Sequence, residues 1–228
     1  MDQYTHPLYF TVRDESTVKR VMIVFAYLHQ PITILSHVNY IDLSLCKCIF
    51  INSGENYWYQ TGVPGFSDDF QGTIDNLAAF CAQHYADHEI ICWGHSMGAY
   101  AAIAAGISLK ASRVFASVPE ATLRLPGSRS LEPLKGIDVQ AGDLRAFLRK
   151  NTGTPIDIIV GANDPFDLTQ AHEIASFPHT KLWTLPCDHN TLVFLRDKHH
   201  LRDLFIAFMR GDDVGIALDP FQVHEQVH

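Results

Sequence analysis

At 228 residues, with 47% apolar and 18% charged positions, the chain has the composition of one globular domain, leaves no room for two independent cores, and is not that of a disordered chain. A formal charge of -8 without any basic run argues against a nucleic-acid partner, which is held through clustered Lys and Arg. No apolar run approaches the ~18 residues that span a bilayer, and residues 1–14 lack the charged start and apolar stretch of a signal peptide, so a cytoplasmic protein without a transmembrane segment is expected.

In chain order, residues 8–12 and 18–26 read as strands, the second almost wholly apolar and therefore central. Residues 46–52 form a third buried strand. Cys46 and Cys48 lie in it, and with Cys81, Cys92 and Cys187 they read as reduced, buried thiols. No second Cys/His pair at ligand spacing accompanies the first, so no metal is expected. Ile74, Leu77, Phe80, Cys81 and Tyr85 give 73–88 one core-facing helical stripe. Strand 89–94 runs directly into a helix at 97–109. Strand 113–118, an irregular stretch, helix 142–150, strand 156–160, a short helix at 168–176 and strand 181–185 continue the rhythm. Phe194, Leu201, Leu204, Phe205 and Phe208 then make 192–210 a packing helix. Such alternation predicts an α/β fold with a mainly parallel sheet, helices on both faces, and ligands at the carboxyl ends of strands. The domain is expected to span 1–210, with a candidate cap insertion at 118–150 and a flexible tail at 211–228.

Gly94-His95-Ser96-Met97-Gly98 is a G-x-S-x-G element between an apolar strand and an Ala-rich helix. In so tight a turn flanking side chains would strike backbone, and strain lifts the serine hydroxyl above the sheet. A serine hydroxyl attacks only with a base in hydrogen-bond reach and an acid orienting that base. Asp164 follows strand 156–160 and His189 follows the next, which gives the order serine, acid, histidine. Asp164 also reads as a turn former before Pro165, with Asp167 as the rival acid. His179 lies too early, and His199 and His200 fall inside the 192–210 helix. His95 is expected to be structural, pointing away from Ser96.

Met97 N–H, at the positive end of its helix, is the expected oxyanion donor, with a second from the backbone of Ala26 or Tyr27. Tyr57, Trp58 and Tyr59, interleaved with Asn, Gln and Glu, offer rings that could stack on a sugar; equally, they could pin their loop to the core. Arg124 and Arg129, in the cap region, suit an anionic substrate or a coenzyme A phosphate, or simply a solvated surface.

With Ser96, Asp164 and His189 in this order, the chain resembles the α/β-hydrolase superfamily over nearly its full length. That resemblance implies an acyl-enzyme on Ser96 and a small-molecule ester or thioester substrate, with no cofactor. A narrower likeness rests on Phe25-Ala26, Asn56-Tyr57-Trp58-Tyr59, Gly62-Val63-Pro64-Gly65 and Val118-Pro119-Glu120. These strings are similar to those of hydrolase-fold proteins of bacterial capsule and glycan biosynthesis, some of which move acetyl from acetyl-CoA to a glycan hydroxyl. The resemblance therefore implies esterase or thioesterase activity, with O-acetyl transfer as the alternative. A noncatalytic glycan- or protein-binding module is the reading from another class. The sequence does not specify an oligomeric state.

Overall fold

The computed structural model describes residues 8–222; the start of the 1–14 segment and the last six residues of the 211–228 tail lie outside the described residues. Seven strands form one sheet: β1 (Phe10–Arg13), β2 (Arg20–Phe25), β3 (Lys47–Ile51), β4 (Glu89–His95), β5 (Arg113–Ser117), β6 (Ile156–Gly161) and β7 (Thr180–Leu185). Their order is β1-β3-β2-β4-β5-β6-β7, and every pairing is parallel except that of β1 on β3. Helices cover both faces, so the central strands are buried on both sides and read as unbroken apolar runs.

One face carries α1 (Phe70–His84), α2 (Met97–Ser108), α3 (Arg145–Leu148) and α4 (Pro165–Ala175). The Asp69 carboxylate accepts from Gly72 N–H at 2.6 Å, which starts α1 at Phe70, ahead of the periodicity at 73. Helix α2 is buried from Met97 to Ile107, and its small residues let it lie close on the sheet. The other face carries α5 (Thr191–Asp197), α6 (Leu201–Arg210) and α7 (Gly215–Leu218) around a stack in which the Trp93 ring lies 4.2 Å from Phe115 and 3.9 Å from Phe205.

Three expectations are corrected here. The 192–210 helix is two helices, broken where His199 takes a left-handed φ of 64°, so His199 and His200 sit in the break. The break lets Leu192 and Leu195 and, beyond it, Leu204 and Phe205 all reach the same core. Residues 211–222 are also packed rather than loose: Val214, Ala217 and Leu218 are buried, and Gln222 Oε1 accepts from the Thr184 N–H at 3.0 Å. The 118–150 excursion closes on itself through an antiparallel bridge between Thr122 and Asp143, and the helix expected at 142–150 shortens to α3. Among the described residues no helix is long and apolar enough to cross a membrane.

Candidate active site

The turn from β4 into α2 holds Ser96 at φ 53° and ψ -118°, a conformation that non-glycine residues rarely adopt and that marks stored strain. The flanking glycines permit it. A Cβ on Gly94 would lie 2.1 Å from the carbonyl oxygen of Gly98, and one on Gly98 would lie 2.5 Å from that of Phe25. Ser96 N–H donates to Ser117 O at 2.8 Å, tying the turn to β5. Met97 N–H has no hydrogen-bond partner among the described residues, leaving it free at the start of α2 as expected of an oxyanion donor.

His189, on the loop after β7, sets Nε2 3.1 Å from Ser96 Oγ. Its Nδ1 lies 2.5 Å from Oδ2 of Asp167, which is buried at 2% exposure. The carboxylate that meets the imidazole is thus Asp167, not the expected Asp164. Asp164 is the N-cap of α4: its Oδ1 accepts from the N–H groups of Phe166 at 3.1 Å and Asp167 at 3.0 Å. With Pro165 at the first helical position, Asp167 falls in the first turn, facing the imidazole. Asp followed by Pro and a hydrophobic helix is an N-cap signature, and it is the signal that separates the two acids in the sequence. Asp188, next to His189, is committed elsewhere; accepting from the Asn190 backbone N–H holds its carboxyl below the usual range.

Arg129 enters from the cap excursion. Its guanidinium lies 2.9 Å from Asp164 Oδ2 and 3.9 Å from Asp167 Oδ2, and its Nε reaches His189 Nδ1 at 2.9 Å. Nδ1 serves one partner at a time. Protonated, it donates to Asp167 and leaves Nε2 to accept the serine proton; unprotonated, it accepts from Arg129 and Nε2 carries the proton. Glu120 fixes this loop by accepting from the N–H groups of Arg129 at 2.9 Å and Ser130 at 3.2 Å, while burial pushes its carboxyl up. Asp164, Asp167 and His189 offer ligand atoms within 4.8 Å of one another, as a metal site would, but the guanidinium is the cation among them. Arg124 stays exposed, its backbone N–H bonded to Ser130 Oγ at 2.8 Å.

Three further readings of the sequence can be set against the geometry. Ala26 N–H already donates to Ile51 O at 2.9 Å and is withdrawn as an oxyanion donor, whereas Tyr27 N–H has only a long contact, 3.4 Å, to Gln30 Oε1. Trp58 and Tyr59 are buried at 1% and 0% exposure, with the Tyr59 hydroxyl near Ala26 O and Ile51 O, and Tyr57 packs half-buried against the same core. The Trp58 and Tyr59 rings pin the loop and offer no open stacking face. His95 makes no hydrogen bond to Ser96 among the described residues; its ring lies 5.6 Å from that of His189 and lines a cavity with Tyr27 and Asn190. Its Nδ1 meets Ser117 Oγ at 2.8 Å, and Ser117 Oγ meets Thr191 Oγ1 at 2.6 Å. Burial, followed by the nearby His189, His37 and Arg129, holds its pKa well below the usual value, so the ring is neutral.

No family model and no curated relative matches the sequence. Among solved structures, MenH from S. aureus superposes at a TM-score of 0.63 with 15% identity, over 89% of this chain and 98% of that one. An alpha/beta fold family hydrolase from Bacillus anthracis str. Sterne superposes at 0.57 with 14% identity, over 86% and 95%. The chain has the α/β-hydrolase fold. A third structure on this hydrolase scaffold is the capsule O-acetyltransferase of Neisseria meningitidis serogroup A, at a TM-score of 0.63 and 14% identity over 88% of this chain and 90% of that one. A variant of it has also been solved in complex with CoA. At these identities the likeness is one of fold.

Proposed function

We propose that this hydrolase-fold chain is a serine acyl-transfer enzyme, with Ser96 as nucleophile, His189 as base and Asp167 as the acid that orients it. The observation that carries the proposal is the continuous relay of 3.1 Å from Ser96 Oγ to His189 Nε2 and 2.5 Å from His189 Nδ1 to Asp167 Oδ2. Ser96 Oγ attacks the carbonyl carbon of an ester or thioester as its proton passes to Nε2. The leaving alcohol or thiol takes that proton, and an acyl-enzyme remains. Met97 N–H, with Tyr27 N–H as the second donor, faces the oxyanion. In the second half, an acceptor O–H gives its proton to Nε2, its oxygen bonds the acyl carbon, and Ser96 leaves with the proton returned.

With water as acceptor the protein is an esterase or thioesterase, and this is the reading we favour. With a glycan hydroxyl as acceptor and acetyl-CoA as donor it is an O-acetyltransferase. The fold shared with a capsule O-acetyltransferase supports that second reading. Labelling with a fluorophosphonate tests the common chemistry: the wild type takes up the reagent and Ser96→Ala does not, while undiminished labelling of Ser96→Ala removes the proposal. Mass spectrometry of mixtures with acetyl-CoA and sugars separates free acetate from acetylated sugar.

A further inference from the structure

Across His95 from the proposed catalytic imidazole, and lined by neither His189 nor Ser96 themselves, lies a cavity of about 260 Å³ whose polar rim includes Tyr27, His37, Tyr40, His95, Asn190 and Arg196. A larger hollow of about 430 Å³ is lined by Tyr85, Glu89 and Ser112, where β4 and β5 begin, and ligands on open α/β sheets gather at the opposite, carboxyl ends. The smaller cavity stands at that carboxyl rim. His95 joins it to the relay, its ring 5.6 Å from His189 and 6.0 Å edge-on from Tyr27, and Asn190 follows His189 directly in the chain.

What distinguishes the lining is its number of uncommitted polar groups. Among the described residues the hydroxyls of Tyr27 and Tyr40 have no hydrogen-bond partner, nor has the second ring nitrogen of His95, whose first is held by Ser117. Asn190 spends its side-chain amide nitrogen on Asp188 at 3.1 Å and keeps its side-chain Oδ1 unpaired among the described residues. His37 keeps a buried Nε2 without a partner, a state that costs about 1–3 kcal/mol in a folded protein. It also sits at φ 57°, a strained backbone position for a non-glycine residue, of the kind that collects at ligand sites. Burial lowers its pKa to about 4, so it too is neutral and its ring both donates and accepts. Arg196, the charged member of the rim, is already paired with Asp197 at 2.9 Å.

Aromatic faces, uncharged donors and acceptors, and an apolar floor of Leu192 and Leu201 describe a site for a neutral ring bearing several hydroxyls. The volume lies below the ~300 Å³ at which drug-sized pockets begin, which limits the occupant to a single ring. An acyl chain would leave these polar groups desolvated and unpaired, so the geometry is wrong for the acyl side. We infer that this cavity binds one sugar ring, the alcohol part of the ester or the acceptor, with its reacting hydroxyl turned toward His189. The inference rests on Ser96 being the nucleophile.

The experiment uses the full chain and a panel of methyl glycosides of neutral hexoses as probes. Titrated into Ser96→Ala, at least one glycoside is expected to shift the backbone amide signals of Tyr27, Asn190 and Val193 saturably. Val193 lines the cavity with an exposed side chain, so Val193→Trp fills it at little cost to the fold and is expected to abolish those shifts. The same substitution should raise KM for O-acetylated methyl glycosides about tenfold, the effect expected from losing one productive contact set. No shift at these amides, shifts elsewhere, or an unchanged KM in Val193→Trp overturns the cavity assignment. Fluorophosphonate labelling of the wild type is scored in parallel: labelling without glycoside binding sinks the cavity alone, and failure to label sinks the reading of Ser96.

Discussion

Asp164 and Asp167 stand in one turn of chain and divide between them the work expected of a single acid. Asp164 caps α4 and pairs with Arg129, and Asp167 meets the imidazole. Asp167→Asn keeps the size but loses the acceptor that holds Nδ1–H, so kcat on a p-nitrophenyl ester is expected to fall about 10³–10⁴-fold. Asp164→Asn still caps the helix and should cost less than about tenfold. Equal losses would return the role to Asp164. Ser96, His189 and Met97 were legible in the sequence because the glycine spacing and the strand ends fix where they lie. The choice of acid was not, because which of two nearby carboxylates faces the base depends on a helix start, and element boundaries are the weakest part of a sequence reading. The strand also continues one residue beyond the predicted 94, and the side chain of that last residue, His95, lines the cavity rim.

At the scale of elements, the turn between β4 and α2 is held by close backbone approach. A Cβ on Gly98 would stand 2.5 Å from Phe25 O and 2.8 Å from Ala26 O, whereas one on Gly153 meets nothing within 4 Å. Gly98→Ala is therefore expected to lose about 1–3 kcal/mol or more by overpacking and to cut fluorophosphonate labelling, with Gly153→Ala as a control within about 0.5 kcal/mol. Thermal unfolding checks both, and equal Tm values would contradict the close approach. Strands and major helices were readable because apolar periodicity is imposed by the two buried faces of the sheet. The break at His199 was not, since apolar residues keep a helical spacing on both sides of it while the left-handed turn serves a long-range demand of the core. Residues 214–218 were read as tail because three buried side chains are too few to show a period.

The whole molecule carries buried neutral histidines, and this gives its stability a pH dependence. His37 is lowered from 6.5 to about 4 by burial, and His95 is lowered in the same sense. Below pH 6.5 the unfolded chain takes up protons that the folded chain refuses, so the contribution is full above that pH and declines as pH falls toward 4. By pH 4 the loss from His37 is on the order of 3 kcal/mol. Buried Glu120, pushed up, acts in the opposite sense, so the comparison with a variant isolates the histidine. His37→Asn, which tolerates the left-handed backbone, should flatten the fall in stability between pH 7 and pH 5 in denaturant titrations. An unchanged slope would show that His37 is not the source.

Gln222 spends its side chain on an N–H of β7, the strand at one margin of the sheet, while α7 lies over the Trp183 ring beside it. An uncovered strand margin is a template on which a second molecule can add its own strand, the first step toward insoluble assemblies. Residues 211–222 thus act as a guard along that border, and shortening the protein to 210 would bare an adhesive edge, visible as light scattering at concentrations where the longer protein stays clear.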